Sequence, residues 1–221
     1  MFSTGVDELD RLLKDGYPDR SAILVVGPPG IGKEALGYWF MQKGLSQDDF
    51  CLYVTRLAVS EVLNDLRAYG IEDLGHPMWV AREEGEIKCE ISDLQELSHR
   101  VKDAIRKHES KRIRIVTDIL SPLLALNDSE TIYRFFSQLL SHVKQYNAVL
   151  LATIEDGMHQ PQVLGSMEQL FDGVVEMRLY EKGLRVLPLL RALKMRGLAP
   201  HPEYFRFSFK AGKMEIIPYD R

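Results

Sequence analysis

Residues 27–34 constrain this chain more than any other segment, because they form a glycine-rich loop between two apolar runs. The run before the loop, residues 21–26, is short and partly β-branched, which predicts a buried parallel strand. The run after it, residues 35–41, predicts a helix. A turn from a strand into a helix leaves unpaired backbone N–H groups at the positive end of the helix dipole. The sequence therefore predicts a phosphate-binding loop within an α/β fold.

The loop departs from the phosphate-binding pattern G-x-x-x-x-G-K-[ST] at its last position. In that pattern the lysine reaches the terminal phosphates and the hydroxyl ligates Mg²⁺. Here Glu34 replaces the hydroxyl, and it either ligates the metal directly or repels the polyphosphate. A glycine-rich turn without nucleotide is the alternative interpretation. The predicted contacts to ATP or ADP are Gly27, Gly30, Ile31, Gly32, Lys33, Glu34 and Ala35.

Composition excludes several other classes of protein. The chain of 221 residues is 45% hydrophobic and 27% charged, which is ordinary for a globular protein. No apolar run approaches the roughly 18 residues of a membrane span. The two cysteines, Cys51 and Cys89, have neither metal-ligand spacing nor a disulfide framework. A net charge of -4 gives no general attraction to nucleic acid. We expect a cytoplasmic protein with one domain over residues 1–221.

Strands and helices are predicted to alternate through the first two thirds of the chain. This alternation favours a mainly parallel central sheet with right-handed crossovers and helices on both faces. From Gly173 onward, short extended runs predict a C-terminal antiparallel β-meander. Ser92 and Gln95 predict a capping box at the start of one helix. Further strands are predicted at 51–55, 77–81, 113–117, 148–153, 174–180, 185–194, 204–209 and 214–217, and helices at 59–69, 92–107 and 129–146.

Two acids follow predicted strands and are candidates for the same site. Asp118 closes the strand at 113–117, where a nucleotide-binding protein places the carboxylate that holds hydrated Mg²⁺. Its alternative role is to cap the following segment. Glu155 follows the strand at 148–153 and is either a polar sensor of nucleotide or a surface acid. The predicted metal-binding residues are Asp118 and Glu34.

The chain resembles the KaiC-like ATPases of the RecA superfamily over nearly its whole length. Residues 3–13 resemble the family's TG-x-x-x-LD-x-LL lead-in, and residues 171–175 resemble its DG entry into the meander. Residues 193–197 resemble its KMRG segment. The resemblance implies a RecA-like P-loop fold in which Lys194 and Arg196 project toward nucleotide held by the next subunit. It therefore implies self-association through the nucleotide face, as a ring or a filament.

The chain departs from that family where a catalytic glutamate usually follows the second strand. Arg56, Leu57 and Ala58 occupy these positions, and the nearest acid, Glu61, falls on a predicted solvated helix face. Loss of a general base removes about 10²–10⁴-fold in rate. The leading hypothesis is therefore a nucleotide-binding protein with weak or absent hydrolysis and a regulatory or assembly role. In that role it can also bind a partner protein.

Two other hypotheses stay open from the sequence. A DNA-binding recombinase paralogue would need cations or stacking residues in the loops after the predicted strands at 113–117 and 148–153. Residues 119–131 and 155–172 contain no Lys or Arg, so nucleic acid is disfavoured. The second alternative is an interaction module that has lost nucleotide binding, for which Glu34 and the missing catalytic acid are the arguments.

Overall fold

The computed structural model describes residues 1–71, 74–82, 84–199, 201–210 and 212–219, with the backbone alone at 201 and 202. No helix in these ranges combines the length and the apolar content needed to cross a bilayer. The helices are α1 Asp7–Leu12, α2 Lys33–Ser46, α3 Val59–Ala68, α4 Leu94–Lys107, α5 Leu120–Leu126, α6 Ser129–Val143 and α7 Pro161–Leu170. The strands are β1 Ser21–Gly27, β2 Phe50–Val54, β3 Met78–Ala81, β4 Ile87–Lys88, β5 Ile113–Thr117, β6 Ala148–Glu155, β7 Gly173–Lys182, β8 Arg185–Met195, β9 His201–Lys210 and β10 Lys213–Pro218.

All of these strands join one ten-stranded sheet in the order β10-β9-β8-β7-β1-β6-β5-β2-β3-β4. From β7 to β4, neighbouring strands are parallel, as between β1 and β6 and between β5 and β2. From β7 to β10 they are antiparallel. This arrangement confirms the predicted fold class, a mainly parallel sheet with a C-terminal antiparallel meander.

Helices cover both faces of the parallel part because its strands are apolar on both sides. In β1, Ile23 and Val25 point into a core that also contains Leu36 of α2. Ala22 and Leu24 point into the opposite core, together with Phe136 of α6. This two-sided burial is typical of parallel sheets, and it fixes the P-loop strand near the centre of the molecule.

Two segments that we predicted as loops contain helices. Residues 119–131 include α5, and residues 155–172 include α7. Both helices are short, and α7 begins with Pro161 at its first helical position, where the missing N–H of proline costs nothing. Because the helices are short and contain proline, sequence periodicity did not predict them.

The predicted capping box at Ser92 and Gln95 is wrong by one residue. Helix α4 begins at Leu94, and Asp93 is its N-cap. The Oδ1 of Asp93 accepts a hydrogen bond of 2.9 Å from the backbone N–H of Glu96. Aspartate caps as well as serine does, so the pattern alone did not distinguish the two positions.

Candidate functional site

The carboxyl ends of neighbouring parallel strands bring the predicted site residues to one edge of the sheet. Gly27 at the end of β1 lies in register with Glu155 at the end of β6. Asp118 follows the last residue of β5, and Thr55 follows the last residue of β2. Crevices at this edge of an open α/β sheet are where such folds bind ligands.

The loop that joins β1 to α2 has the backbone conformation of a phosphate cradle. Gly32 is the N-cap of α2 with φ at 88°, and Gly30 has φ at 76°. Both angles lie in the left-handed region, where a side chain would cost strain. The backbone therefore turns directly into the N-terminus of a 14-residue helix. That helix end presents free N–H groups and positive dipole charge.

Lys33 is enclosed by two carboxylates. Its side chain is only 1% exposed, and its Nζ lies 2.9 Å from Oε1 of Glu34 and 2.8 Å from Oε2 of Glu155. Neither contact has the geometry of a hydrogen bond, and Nζ finds no other hydrogen-bond partner among the described residues. A buried ammonium requires negative charge nearby. The two glutamates supply that charge, and they are the only partners of the ammonium among the described residues.

Glu155 is the residue on which the sequence left two interpretations open. The structure brings its carboxylate, 25% exposed, to the P-loop lysine, so it is part of the site. Its backbone N–H donates to Oγ of Ser121 in α5 at 2.8 Å. That hydroxyl also lies 2.9 Å from Nε2 of His159. Ser121 holds the backbone of Glu155, and His159 contacts Ser121. Sequence reasoning missed Ser121 because α5 was not predicted, and it missed His159 because an isolated histidine carries no pattern.

Asp118 has one carboxylate oxygen engaged and one unused. Oγ1 of Thr55 donates to its Oδ2 at 2.8 Å, whereas the buried Oδ1 has no hydrogen-bond partner in the described part of the chain. Burial raises the pKa of Asp118 to about 6, and the nearby charge of Glu34 adds to this increase. The hydrogen bond from Thr55 and the charge of Arg56 lower the pKa and so oppose the shift. Asp118 and Glu34 thus belong to one electrostatic environment.

The available donors fit a metal ion that arrives with a nucleotide. Within the described ranges, no three His, Cys, Asp or Glu side chains are grouped so that they alone could hold a metal. Mg²⁺ is commonly bound by one or two carboxylates together with waters and substrate phosphates. The unused Oδ1 of Asp118 suits that requirement, with Glu34 as a second possible donor.

Comparison with known proteins decides the family. A family model described as "ATPase: KaiC" matches residues 2–221. The chain belongs to the KaiC family of ATPases. It is 28% identical to a UPF0273 protein of Methanopyrus kandleri over 89% of this chain and 84% of that protein. A UPF0273 protein of Pyrobaculum aerophilum is 27% identical over 96% of this chain and 80% of the relative. The circadian clock protein KaiC3 of Synechocystis is 25% identical over 97% of this chain, which spans only 43% of KaiC3.

In this KaiC-family chain, a cation follows β2 instead of an acid. Arg56 is exposed, and its charge is close enough to Asp118 to lower the pKa of that carboxyl. Glu61 has a structural role, because its Oε2 accepts a hydrogen bond of 2.9 Å from the N–H of Ala58 at the start of α3. The position after β2 therefore offers no carboxylate to activate a water molecule.

Lys194 and Arg196 lie at the opposite edge of the sheet from the P-loop. Arg196 pairs with Oδ1 of Asp172 at 2.8 Å, and Oδ2 of Asp172 accepts from the N–H of Ala22 at 3.0 Å. Ala22 stands near the beginning of β1, and Gly27 stands at its end. The five residue steps from Ala22 to Gly27 span about 16 Å. Neither cation can reach a nucleotide on its own P-loop without a large rearrangement.

Lys194 and Arg196 differ in how many contacts they make within this chain and in how exposed they are. The Nζ of Lys194 contacts the carbonyl oxygens of Glu168 and Gln169, both at 3.1 Å, and that of Phe171 at 2.6 Å. These contacts cap the C-terminus of α7 and use all three donors of the ammonium. Arg196 remains 70% exposed despite its ion pair. Of the pair, Arg196 is the one whose side chain is open to solvent.

An aromatic cluster formed by Phe209 of the meander with Tyr69 and Trp39 covers the outer side of the P-loop, and no sequence pattern predicted it. A Cβ placed on Gly32 would lie 2.5 Å from Cε2 of Phe209 and 3.2 Å from the hydroxyl of Tyr69. Phe209 also packs on Tyr69 and Trp39, with ring centroids 5.1 and 5.8 Å apart. Gly32 is therefore required both for its backbone angle and for the space that the Phe209 ring fills.

Proposed function

We propose that this KaiC-family chain binds ATP or ADP with Mg²⁺ at the P-loop and hydrolyses the nucleotide slowly or not at all. Its role is regulatory or architectural, with nucleotide acting as a ligand that controls conformation or assembly. The observation that carries this proposal is the buried ammonium of Lys33, which lies at a helix N-terminus and has no partner among the described residues other than the carboxylates of Glu34 and Glu155. Phosphate oxygens are the acceptors that such a site favours.

Each predicted contact has a defined part in this proposal. Lys33 moves its ammonium from the two glutamates to the terminal phosphates. Asp118 holds the hydrated Mg²⁺, and Glu34 borders the metal and the phosphates. The backbone N–H groups that surround the phosphates belong to Gly27, Gly30, Ile31, Gly32 and Ala35. Those of Ile31 and Ala35 donate to the carbonyl oxygens of Pro28 and Gly32 at 3.4 and 3.2 Å, and they exchange these bonds for phosphate. Isothermal titration with ATP, in the presence and absence of Mg²⁺, tests the proposal, and absence of binding in both conditions would reject it.

Hydrolysis is expected to be slow, with kcat below about 1 s⁻¹, which is the lower end of the ordinary enzyme range. The physical reason is the missing carboxylate at positions 56–58 and the missing hydroxyl at Glu34. Phosphate release from purified protein at saturating Mg²⁺–ATP measures it. Asp118→Asn serves as the control, because any rate that survives this change comes from a contaminant. A rate above about 1 s⁻¹ that requires Asp118 would contradict the expectation.

Assembly is proposed to place Arg196 of one subunit, supported by Lys194, against the nucleotide of the next. Both residues lie too far from their own P-loop to contact a nucleotide there. They can reach a P-loop only if it belongs to a second copy of the chain. In a head-to-tail assembly the two surfaces of one interface differ, so a ring or filament satisfies this geometry.

Complementation between two defective chains tests this arrangement. Lys33→Gln and Arg196→Ala should each lower nucleotide binding when measured alone. A random mixture should recover binding at about a quarter of its junctions, because these combine an intact Lys33 with an intact Arg196. Titration of the mixture against the separate variants measures the recovery. Arg178→Ala, on the same meander, is the matched control. No recovery, with the assembly intact by sedimentation, would reject the contact between subunits.

An interaction module without nucleotide is the second candidate, and one observation favours it. Glu34 and Glu155 together can neutralise Lys33, so the loop already holds negative charge where a phosphate would bring more. The same titration with ATP distinguishes the two functions.

A further inference from the structure

A concentration of positive charge lies on the meander, away from the P-loop. There, a cavity of about 370 Å³ is lined by the cations Lys182, Arg185 and Arg206. No carboxylate appears among the described residues that line it. The whole chain carries a net charge of -4, so this local excess of positive charge is not a general property of the surface. The remaining lining residues are apolar or aromatic: Leu187, Ile217, Pro218 and Tyr219.

Strand register explains why these side chains meet. Arg185 pairs with Lys182 across the β7–β8 hairpin, and Tyr180 pairs with Leu187. Arg206 of β9 lies opposite Ile217 of β10. Directly opposed residues share a face of the sheet, and so do residues two apart on one strand. Residues of four strands thus form one outward surface, which we call the meander face. It is open to solvent, since Ile217 is 51% exposed.

The three cations of the cavity are free to bind an external anion. Within the described part of the chain, none of them makes an ion pair or a side-chain hydrogen bond, unlike the other arginines of the meander face. Arg191 pairs with Glu176, and Arg178 donates to the hydroxyl of Tyr204 at 2.8 Å. Like charges held close together without counter-ions raise the local potential and attract a polyanion.

Aromatic rings adjoin the cations. Tyr180 and Tyr219 form an edge-to-face pair, with centroids 6.1 Å apart and an interplanar angle of 67°. Tyr180 is 38% exposed. In such a pair, the edge of one ring contacts the face of the other, so ring surface is left for a planar ligand. Flat rings beside unpaired cations are the combination that binds bases and phosphates together.

We propose that the meander face binds single-stranded nucleic acid. Lys182, Arg185 and Arg206 hold successive phosphates, and bases stack on Tyr180 and Tyr219. Four-stranded sheets with exposed aromatic residues bind two or three unpaired bases in this way. An acidic peptide would use the same cations but would gain little from the rings, so the tyrosines favour nucleic acid. The cations lie on the sheet and not in residues 119–131 or 155–172, whose lack of Lys and Arg argued against a recombinase.

Fluorescence anisotropy of a labelled oligothymidylate of roughly 16 nucleotides tests the phosphate contacts on the full chain. The double variant Arg185→Ala/Arg206→Ala should weaken binding at least about tenfold. It should also reduce the slope of log affinity against log salt by about 1.4, since each phosphate contact on a single strand contributes about 0.7. Lys213→Ala removes an exposed cation at the other end of β10 and should leave both quantities unchanged.

Tyr180→Leu tests the stacking separately, because it leaves the cations in place. It should weaken binding by about fivefold or more without changing the salt slope. The proposal is overturned if the oligonucleotide does not bind, if Lys213→Ala loses as much affinity as the double variant, or if oligoglutamate competes equally well and Tyr180→Leu has no effect. Circular dichroism confirms that each variant folds. Lys33→Gln should bind the oligonucleotide normally, so failure here is distinct from failure of the P-loop proposal.

Discussion

Replacing Lys33 with glutamine is expected to reduce affinity for ATP at least about tenfold, and more at low salt. A hydrogen bond from a charged group contributes about 1.5–3 kcal/mol, and the ammonium here is buried, with Glu34 and Glu155 as its partners among the described residues. Its loss also leaves Glu34 and Glu155 facing the phosphates without a counter-ion. Isothermal titration at two salt concentrations measures the change.

Lys43→Gln is the matched control for this experiment, because Lys43 lies in the last turn of the same helix, away from the loop. Glutamine keeps most of the length of the side chain, so packing around position 33 is disturbed less than by alanine. Thermal unfolding of both variants checks that the fold is retained. Equal affinity in wild type and Lys33→Gln would remove the P-loop from the proposed nucleotide site.

Replacing Glu34 with threonine is expected to tighten ATP binding by roughly tenfold to a hundredfold and to make it more dependent on Mg²⁺. The carboxylate lies 2.9 Å from the ammonium that the phosphates require, so it competes with them and repels them. Two unit charges about 4 Å apart interact by about 4 kcal/mol at an effective dielectric of 20. Glu34 is 30% exposed, so solvent screening reduces that figure.

Glu34→Gln separates the two parts of this effect. Glutamine removes the charge but supplies no hydroxyl, so it should tighten binding without adding dependence on Mg²⁺. Threonine should do both, because its hydroxyl restores a metal ligand. Titration of the three proteins across a Mg²⁺ series compares them. If wild type binds more tightly than either variant only when Mg²⁺ is present, then Glu34 ligates the metal and the repulsion hypothesis is wrong.

The fold was largely predictable because its main determinants are local. A strand, a glycine-rich turn and a helix predict β1 and α2, and alternating apolar runs predict the parallel sheet. The position of Arg114 was not predictable. It is the second residue of β5 and is fully buried, with its Nε 2.7 Å from Oδ2 of Asp49. Periodicity predicts a strand at this position, but it does not reveal which distant carboxylate accompanies a buried guanidinium.

The candidate site likewise contains residues that local patterns predicted and residues that they did not. Lys33 and Asp118 follow from local patterns, because the carboxyl ends of parallel strands meet at one edge. Glu155 was ambiguous, since a strand end specifies where a residue lies but not which cation its side chain reaches. The contacts of Lys194 could not be anticipated without α7, whose terminal carbonyls it binds. Contacts between segments far apart in sequence are what single-chain patterns leave undetermined.

The ring of Phe209 against Gly32 also determines when the P-loop is completed during synthesis. The glycines of the loop leave the ribosome early, but the ring that packs on Gly32 belongs to β9 and emerges late. Asp172, which accepts a hydrogen bond from Ala22 of β1, also emerges late. At 5–20 residues per second, roughly 9–35 s separate the emergence of the loop from that of Phe209. A nascent chain that stops before β9 therefore exposes Trp39 and Tyr69 beside an unfinished loop. Premature termination would yield an aggregation-prone fragment and not a partly active protein.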